Sequence, residues 1–101
     1  MIFARVAGTV VSTKKNDSIT GTKYLLTRTC DQKGKLKNDY IVALDLVGAG
    51  TGEVVIIAQG SSSRQTELTY QKPIDAVIAG IVDLVEEKAN IVFRKQTDAH
   101  L

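Results

Sequence analysis

Valine recurs from Ile2 to Ser12, Phe3 stands near the start, and Gly8 falls midway. A glycine there would weaken a helix by about 1 kcal/mol relative to alanine, whereas β-branched residues suit a pleated surface. The segment therefore predicts a strand with a bulge near the glycine. Polar residues Thr13 to Ser18 predict a loop, because Asn16, Asp17 and Ser18 favour turns. Lys23 to Cys30, with Tyr24, Leu25, Leu26 and two threonines, reads as a second strand, closed by the turn Asp31-Gln32-Lys33-Gly34. Asp39 to Val47 places Ile41, Ala43, Asp45 and Val47 on one face and Val42, Leu44 and Leu46 on the other. Glu53 to Gln59 behaves alike, with Val54, Ile56 and Ala58 opposed to Val55 and Ile57.

Gly60 to Gln71 is polar, with three successive serines and Arg64, and predicts a loop carrying at most a short helical turn capped by Ser61 or Ser62. After Pro73, the run Val77, Ile78, Ile81, Val82 and Val85 favours a strand, with a helix from Val77 to Glu87 as the alternative. Ile91-Val92-Phe93 predicts a final strand, and residues 87–101 form a C-terminal strand and tail. Short strands joined by glycine-bearing turns indicate an all-β chain, a small closed barrel. A barrel this small buries one face of each strand, so the second apolar face of Asp39–Val47 and Glu53–Gln59 needs a helix, a loop or another subunit over it.

Composition narrows this reading. A chain of 101 residues with no internal repeat or composition shift predicts one domain over residues 1–101, and 44% hydrophobic with 24% charged residues is a globular balance. The formal charge of +2 is too small for the field of a dedicated nucleic-acid binder. The N-terminal residues lack the basic and apolar regions of a secretion signal, and no apolar run approaches the ~20 residues of a spanning helix. A soluble cytoplasmic protein without a membrane partner is the expectation. The single cysteine, Cys30, and single histidine, His100, leave neither an internal disulfide nor a cysteine or histidine cage for a metal.

Candidate chemistry is sparse. Gly48-Ala49-Gly50-Thr51-Gly52-Glu53 suggests a dinucleotide loop, but Val54-Val55-Ile56-Ile57 follows where that fingerprint requires a helix. A tight connection allowing close backbone approach is the better reading. Ser61, Ser62, Ser63 and Arg64 offer hydroxyls and a guanidinium for an anion or a neighbouring chain, with no histidine nearby to activate a serine. Asp45 and Asp83 lie within apolar patterns and are expected to be structural ion pairs, with Arg5, Arg28 or Arg64 as partners. Lys33, Lys35 and Lys37 alternate within a turn and read as a solvated loop. No catalytic residue, metal site or cofactor is predicted.

Four stretches carry a resemblance: Gly8-Thr9-Val10-Val11-Ser12-Thr13-Lys14; Val42 to Glu53; Gly60-Ser61-Ser62-Ser63-Arg64; and Pro73 to Asp83. Together, in order from about Ile2 to Val85, they resemble the EutN/CcmL family of bacterial microcompartment vertex proteins. The resemblance implies an OB-like β-barrel with one or two short helical turns and no catalysis of its own. It also implies a homopentamer that fills the fivefold corners of a polyhedral shell in the cytoplasm, beside hexameric shell proteins. On that reading, Gly48, Gly50, Gly52, Glu53, Val55, Ile57, Ser61, Ser62 and Arg64 are candidates for the subunit interface or a pore. The alternative is a small barrel that binds single-stranded nucleic acid, for which the chain has few aromatic platforms.

Overall fold

The computed structural model describes residues 1–11, 23–60 and 76–95, and the elements within them are all strands. They are β1 (Ile2–Val10), β2 (Lys23–Cys30), β3 (Leu36–Asp45), β4 (Val54–Gln59), β5 (Ala76–Ile81), β6 (Leu84–Glu87) and β7 (Asn90–Arg94). The first five close into a barrel in the order β1-β2-β3-β5-β4, with β4 returning to β1, and β6 and β7 form a separate two-stranded sheet. Neighbours in the barrel run antiparallel except β3 and β5, which pair in parallel at Leu44 with Val77 and Asp45 with Ile78.

Strand β1 matches its sequence signal closely. Its register against β2 slips between Val6 and Gly8, leaving Ala7 as the extra residue of a bulge beside the glycine. Beyond the bulge the strand continues along β2 as far as Val10 opposite Tyr24. A helix over Val77–Glu87 does not form: β5 ends at Ile81 and β6 starts at Leu84. Its β-branched residues are spent on two strands, one in the barrel and one in the hairpin.

The barrel interior holds Ala4, Val6, Leu25, Ala43, Val55 and Ile57 among its buried residues. Alanine recurs because a five-stranded barrel has a narrow bore, which large side chains from every strand would overfill. Thr27 is also fully buried, and its hydroxyl donates to the Ile41 carbonyl at 2.7 Å.

Outside the barrel, the β6–β7 hairpin covers the face made by β1 and β4. Phe93 and Val82 pack with Val54 and Cys30, and Phe3, Ile56 and Val85 complete the cluster. This is the cover that the two-sided apolar pattern of β4 required, and the chain supplies it itself. A smaller external cluster joins Leu44 and Val77 with Tyr24 and Leu46.

The arrangement corrects one expectation. Val55 and Ile57, read as interface or pore candidates, are both fully buried in the barrel interior and are unavailable to another subunit. Alternation separates two faces of a strand without saying which is concave. Pairing decides it: Ile57 lies opposite Ile2 and Val55 opposite Ala4, both interior, whereas Ile56 lies opposite Phe3 beneath the hairpin.

Candidate functional site

The glycine segment between β3 and β4 is organised by the carboxylates at its two ends. Asp45 Oδ1 accepts the backbone N–H groups of Val47 at 3.0 Å, Gly48 at 3.0 Å and Ala49 at 3.3 Å. At the other end Glu53 Oε1 accepts the N–H of Gly50 at 2.6 Å. The Gly52 N–H donates to the Val6 carbonyl at 2.9 Å, and the Val6 N–H donates to the Glu53 carbonyl at 2.9 Å, which stitches the segment to β1. Gly48 and Gly52 have φ of +75° and +91°, a region costly for residues bearing a Cβ.

This geometry explains why the segment is not a phosphate loop. A phosphate cradle needs backbone N–H groups pointing at an empty anion position, and here five donors of the segment, the four from Val47 to Gly50 and that of Gly52, are occupied by the chain's own oxygens. The strand β4 then follows, with no helix to lend its dipole.

Asp45 is buried, as its position in an apolar pattern implied, but its partners differ from those expected. Three backbone N–H groups stabilise its carboxylate, and Lys23 Nζ stands 3.9 Å from Oδ2 across the β2–β3 pair. Aspartate readily makes such a turn around its own side chain, so a local signal outcompeted the distant arginines. Asp83 also stands in an ion pair, but with a lysine in place of an arginine and at the surface: Lys95 Nζ lies 3.8 Å from its Oδ1, and its side chain is 83% exposed. It lies in the break between β5 and β6, not inside a strand.

Arg5 serves neither aspartate. It is buried on the outer face of β1, where Nη1 donates to the Gly52 carbonyl at 2.9 Å and Nη2 to the Gly34 carbonyl at 3.2 Å. Its guanidinium lies 5.9 Å from the centroid of the Phe93 ring. One side chain thus ties β1, the glycine segment, the β2–β3 turn and β7 together. Sequence reasoning named Arg5 only as a partner for an acid; its isolation among Phe3, Ala4 and Val6 was the signal that it would be buried and capped by oxygens.

Two polar contacts fasten the hairpin further. Lys95 Nζ lies 2.6 Å from Glu53 Oε2, and Gln32 Nε2 donates to Glu87 Oε1 at 2.7 Å. The hydrogen bond from Lys95, followed by that from the Gly50 N–H, holds the Glu53 carboxyl below the usual carboxylate range. The same contact raises the Lys95 ammonium above the usual lysine range. Cys30 is buried beneath Phe93, and that burial pushes its thiol up despite the nearby charge of Arg5, leaving a poor nucleophile.

Of the sequence candidates, Gly48, Gly50, Gly52 and Glu53 are therefore brought together in one surface segment beside Asp45. Ser61, Ser62 and Arg64, as well as His100, lie outside the described residues.

The chain's relationships agree with this architecture. The family described as "Ethanolamine utilisation protein EutN/carboxysome" matches residues 1–83. The carboxysome shell vertex protein CcmL of Synechocystis sp. strain PCC 6803 is 42% identical over 98 residues, spanning 97% of this chain and 98% of that protein. The solved structure of CcmL from Gloeobacter violaceus superimposes with a TM-score of 0.88 at 41% identity, covering 95% of this chain and 99% of the other. The pentameric microcompartment shell protein GrpN from Rhodospirillum rubrum gives a TM-score of 0.76 at 46% identity, covering 86% of this chain and 99% of that one. With the barrel, the hairpin and the glycine segment all within reach of these matches, the chain is a member of the EutN/CcmL family.

Proposed function

We propose that this chain is a structural shell protein that assembles as a pentamer and caps the fivefold vertices of a bacterial microcompartment in the cytoplasm. The observation that carries the reading is likeness along nearly the whole chain to a shell vertex protein, with 97% of this chain and 98% of that relative aligned. The physical logic is geometric. Hexagonal units tile a plane, and a closed polyhedron needs fivefold units at its corners. Hexameric shell proteins are the lateral partners this requires, and Gly48, Gly50, Gly52 and Glu53 are candidate contact residues on the surface.

The site supports a structural role over catalysis. Its carboxylates are engaged by backbone N–H groups and lysines, and its thiol is buried with a raised pKa. The nucleic-acid alternative gains little from the barrel. Of the described aromatic rings, Phe93 is buried, Phe3 and Tyr24 are partly buried in apolar clusters, and only Tyr40 is well exposed. Stacking successive bases requires several exposed rings along a basic groove.

The test is to co-express hexameric shell proteins with and without this chain and to image the particles by electron microscopy. Shells with open corners, or tubes and sheets, are expected without it, and closed shells with it. Equally closed shells in both samples, with no density for this chain at the corners, would overturn the assignment.

A further inference from the structure

We infer that the outer face of β2–β3 of one copy receives the outer face of the β6–β7 hairpin of the next copy, with Arg28 opposite Glu86. The inference rests on the pentamer reading and specifies its interface. A cyclic ring is closed by a head-to-tail contact, which requires two different, complementary patches on each protomer.

The described surface offers two such patches. On β2–β3, the cross-strand pairs Leu26 with Val42 and Arg28 with Tyr40 lie on the outer face, continuing the row begun by Tyr24 and Leu44. Val42 is 50% exposed and Tyr40 56% exposed, although Tyr24 and Leu44 further along the same row are covered. On the hairpin, Val85 and Phe93 turn inward to the barrel, so Leu84 and Glu86 on either side of Val85 face away from it; the register slips between Val85 and Glu86, with Val92 as the extra residue, and this sets Ile91 across from Glu86 on that outward face. Leu84 is 43% exposed and Ile91 46% exposed, with Ile91 directly across from Glu86. Among the described residues, the remaining exposed large apolar side chains, Met1, Val11, Leu36 and Val47, stand at strand ends or in the glycine segment and pair with no second one across a strand.

Charge gives the two patches their polarity. The Arg28 guanidinium is held by neutral groups: Nε donates to the Lys37 carbonyl at 2.5 Å, Nη2 to Asn38 Oδ1 at 3.5 Å, and the plane lies 5.6 Å from the Tyr40 ring centroid. Lys35 and Lys37 add positive charge around it, against Asp39 at the same end of β3; the strand's other acid, Asp45, lies buried at the far end. The patch thus presents an aromatic ring with an oriented arginine, a combination that dominates interface energetics. Glu86 is exposed on the hairpin between two apolar residues, and no described cation pairs with it. Arg94, across from Leu84, is already engaged within the chain, and Lys88 sits at the hairpin tip. An oriented cation beside apolar groups on one patch therefore matches an acid beside apolar groups on the other.

Reciprocal charge exchange tests the pairing. The wild-type chain, Arg28→Glu, Glu86→Arg and the double exchange are compared by native mass spectrometry over a dilution series, with circular dichroism confirming the barrel in each. Each single variant is expected to fall apart at concentrations about tenfold or more above those at which the wild type does, and the double variant to recover most of the loss. Tyr40→Ser and Ile91→Ser, which leave the charges alone, should weaken the ring in the same direction. Single variants as pentameric as the wild type, or a double variant no better than the singles, would overturn the inference while leaving the pentamer intact. A monomeric wild type would instead overturn the pentamer reading itself, and this interface with it.

Discussion

Arg5 and Gly34, 29 residues apart, fit together as a key and its slot: Nη2 of the arginine donates to the glycine carbonyl at 3.2 Å, and a Cβ on that glycine would come within 2.7 Å of the same nitrogen. Gly34 also has φ of +84°, and the missing Cβ would meet the Phe93 ring at 3.1 Å. The arginine tip cannot simply swing aside, because the Gly52 carbonyl and Phe93 hold it from other directions. Gly34→Ala should therefore cost about 2–3 kcal/mol, combining the left-handed backbone penalty with a weakened buried hydrogen bond. Chemical denaturation reads this directly, and an unchanged midpoint would contradict it.

Replacing Arg5 itself tests the staple. Arg5→Met leaves the Gly34 and Gly52 carbonyls without their donors, for an expected loss of about 2–4 kcal/mol. Arg5→Lys should recover only part of it, since an ammonium lacks the planar fork that spans two carbonyls. Hydrogen exchange should rise in β7 and the glycine segment in both variants before it rises in β2. Full rescue by lysine would show that charge alone matters.

Substitutions on β4 separate barrel core from hairpin cover. Ile57→Ala removes a fully buried side chain from the bore and should cost about 2–5 kcal/mol. Val55→Asp should prevent folding, by stranding a charge where no described partner reaches it. Ile56→Ala, on the half-buried face under the hairpin, should cost less and loosen β6–β7 preferentially. Equal losses for Ile56→Ala and Ile57→Ala would erase the distinction between the two faces.

Asp45→Ala removes the acceptor shared by the N–H groups of Val47, Gly48 and Ala49. An expected cost of about 1–3 kcal/mol follows, with Asp45→Asn losing less because its amide oxygen still accepts. Amide shifts of those three residues should move in both variants, and unmoved shifts would rule out the turn.

The Glu53–Lys95 contact predicts a pH window. The Glu53 pKa is depressed in the folded chain, so its contribution is present above the unfolded value and is lost as pH falls through the folded one, below the usual carboxylate range. The Lys95 pKa is raised, so its contribution persists below the unfolded value and is lost as pH rises through the folded one, above the usual lysine range. Between those limits the contact should be insensitive to pH. NMR titration of the Glu53 carboxyl should show the low midpoint, and Lys95→Met should move it up; a midpoint at the ordinary value would remove the contact from solution.

Much of the barrel was legible along the chain because strand signals are local. β2 begins at Lys23 and ends at Cys30 as its apolar and threonine-rich run implied, and the bulge in β1 falls beside Gly8. Glycine and β-branched residues bias φ and ψ wherever they stand, so these features need no distant contact. The demand for cover over β4 was equally plain, since two apolar faces on one strand cannot both line a narrow bore.

What covered each face was settled only in three dimensions. Val55 and Ile57 differ from Ile56 by nothing in the sequence pattern, and only closure of β1 against β4 sends the first two inward. The role of Arg5 depends on carbonyls 29 and 47 residues away, brought together by folding the glycine segment and the β2–β3 turn against β1. Periodicity carries the spacing of side chains along a strand; the curvature of the closed sheet, to which every strand contributes, decides which side of that spacing is inside.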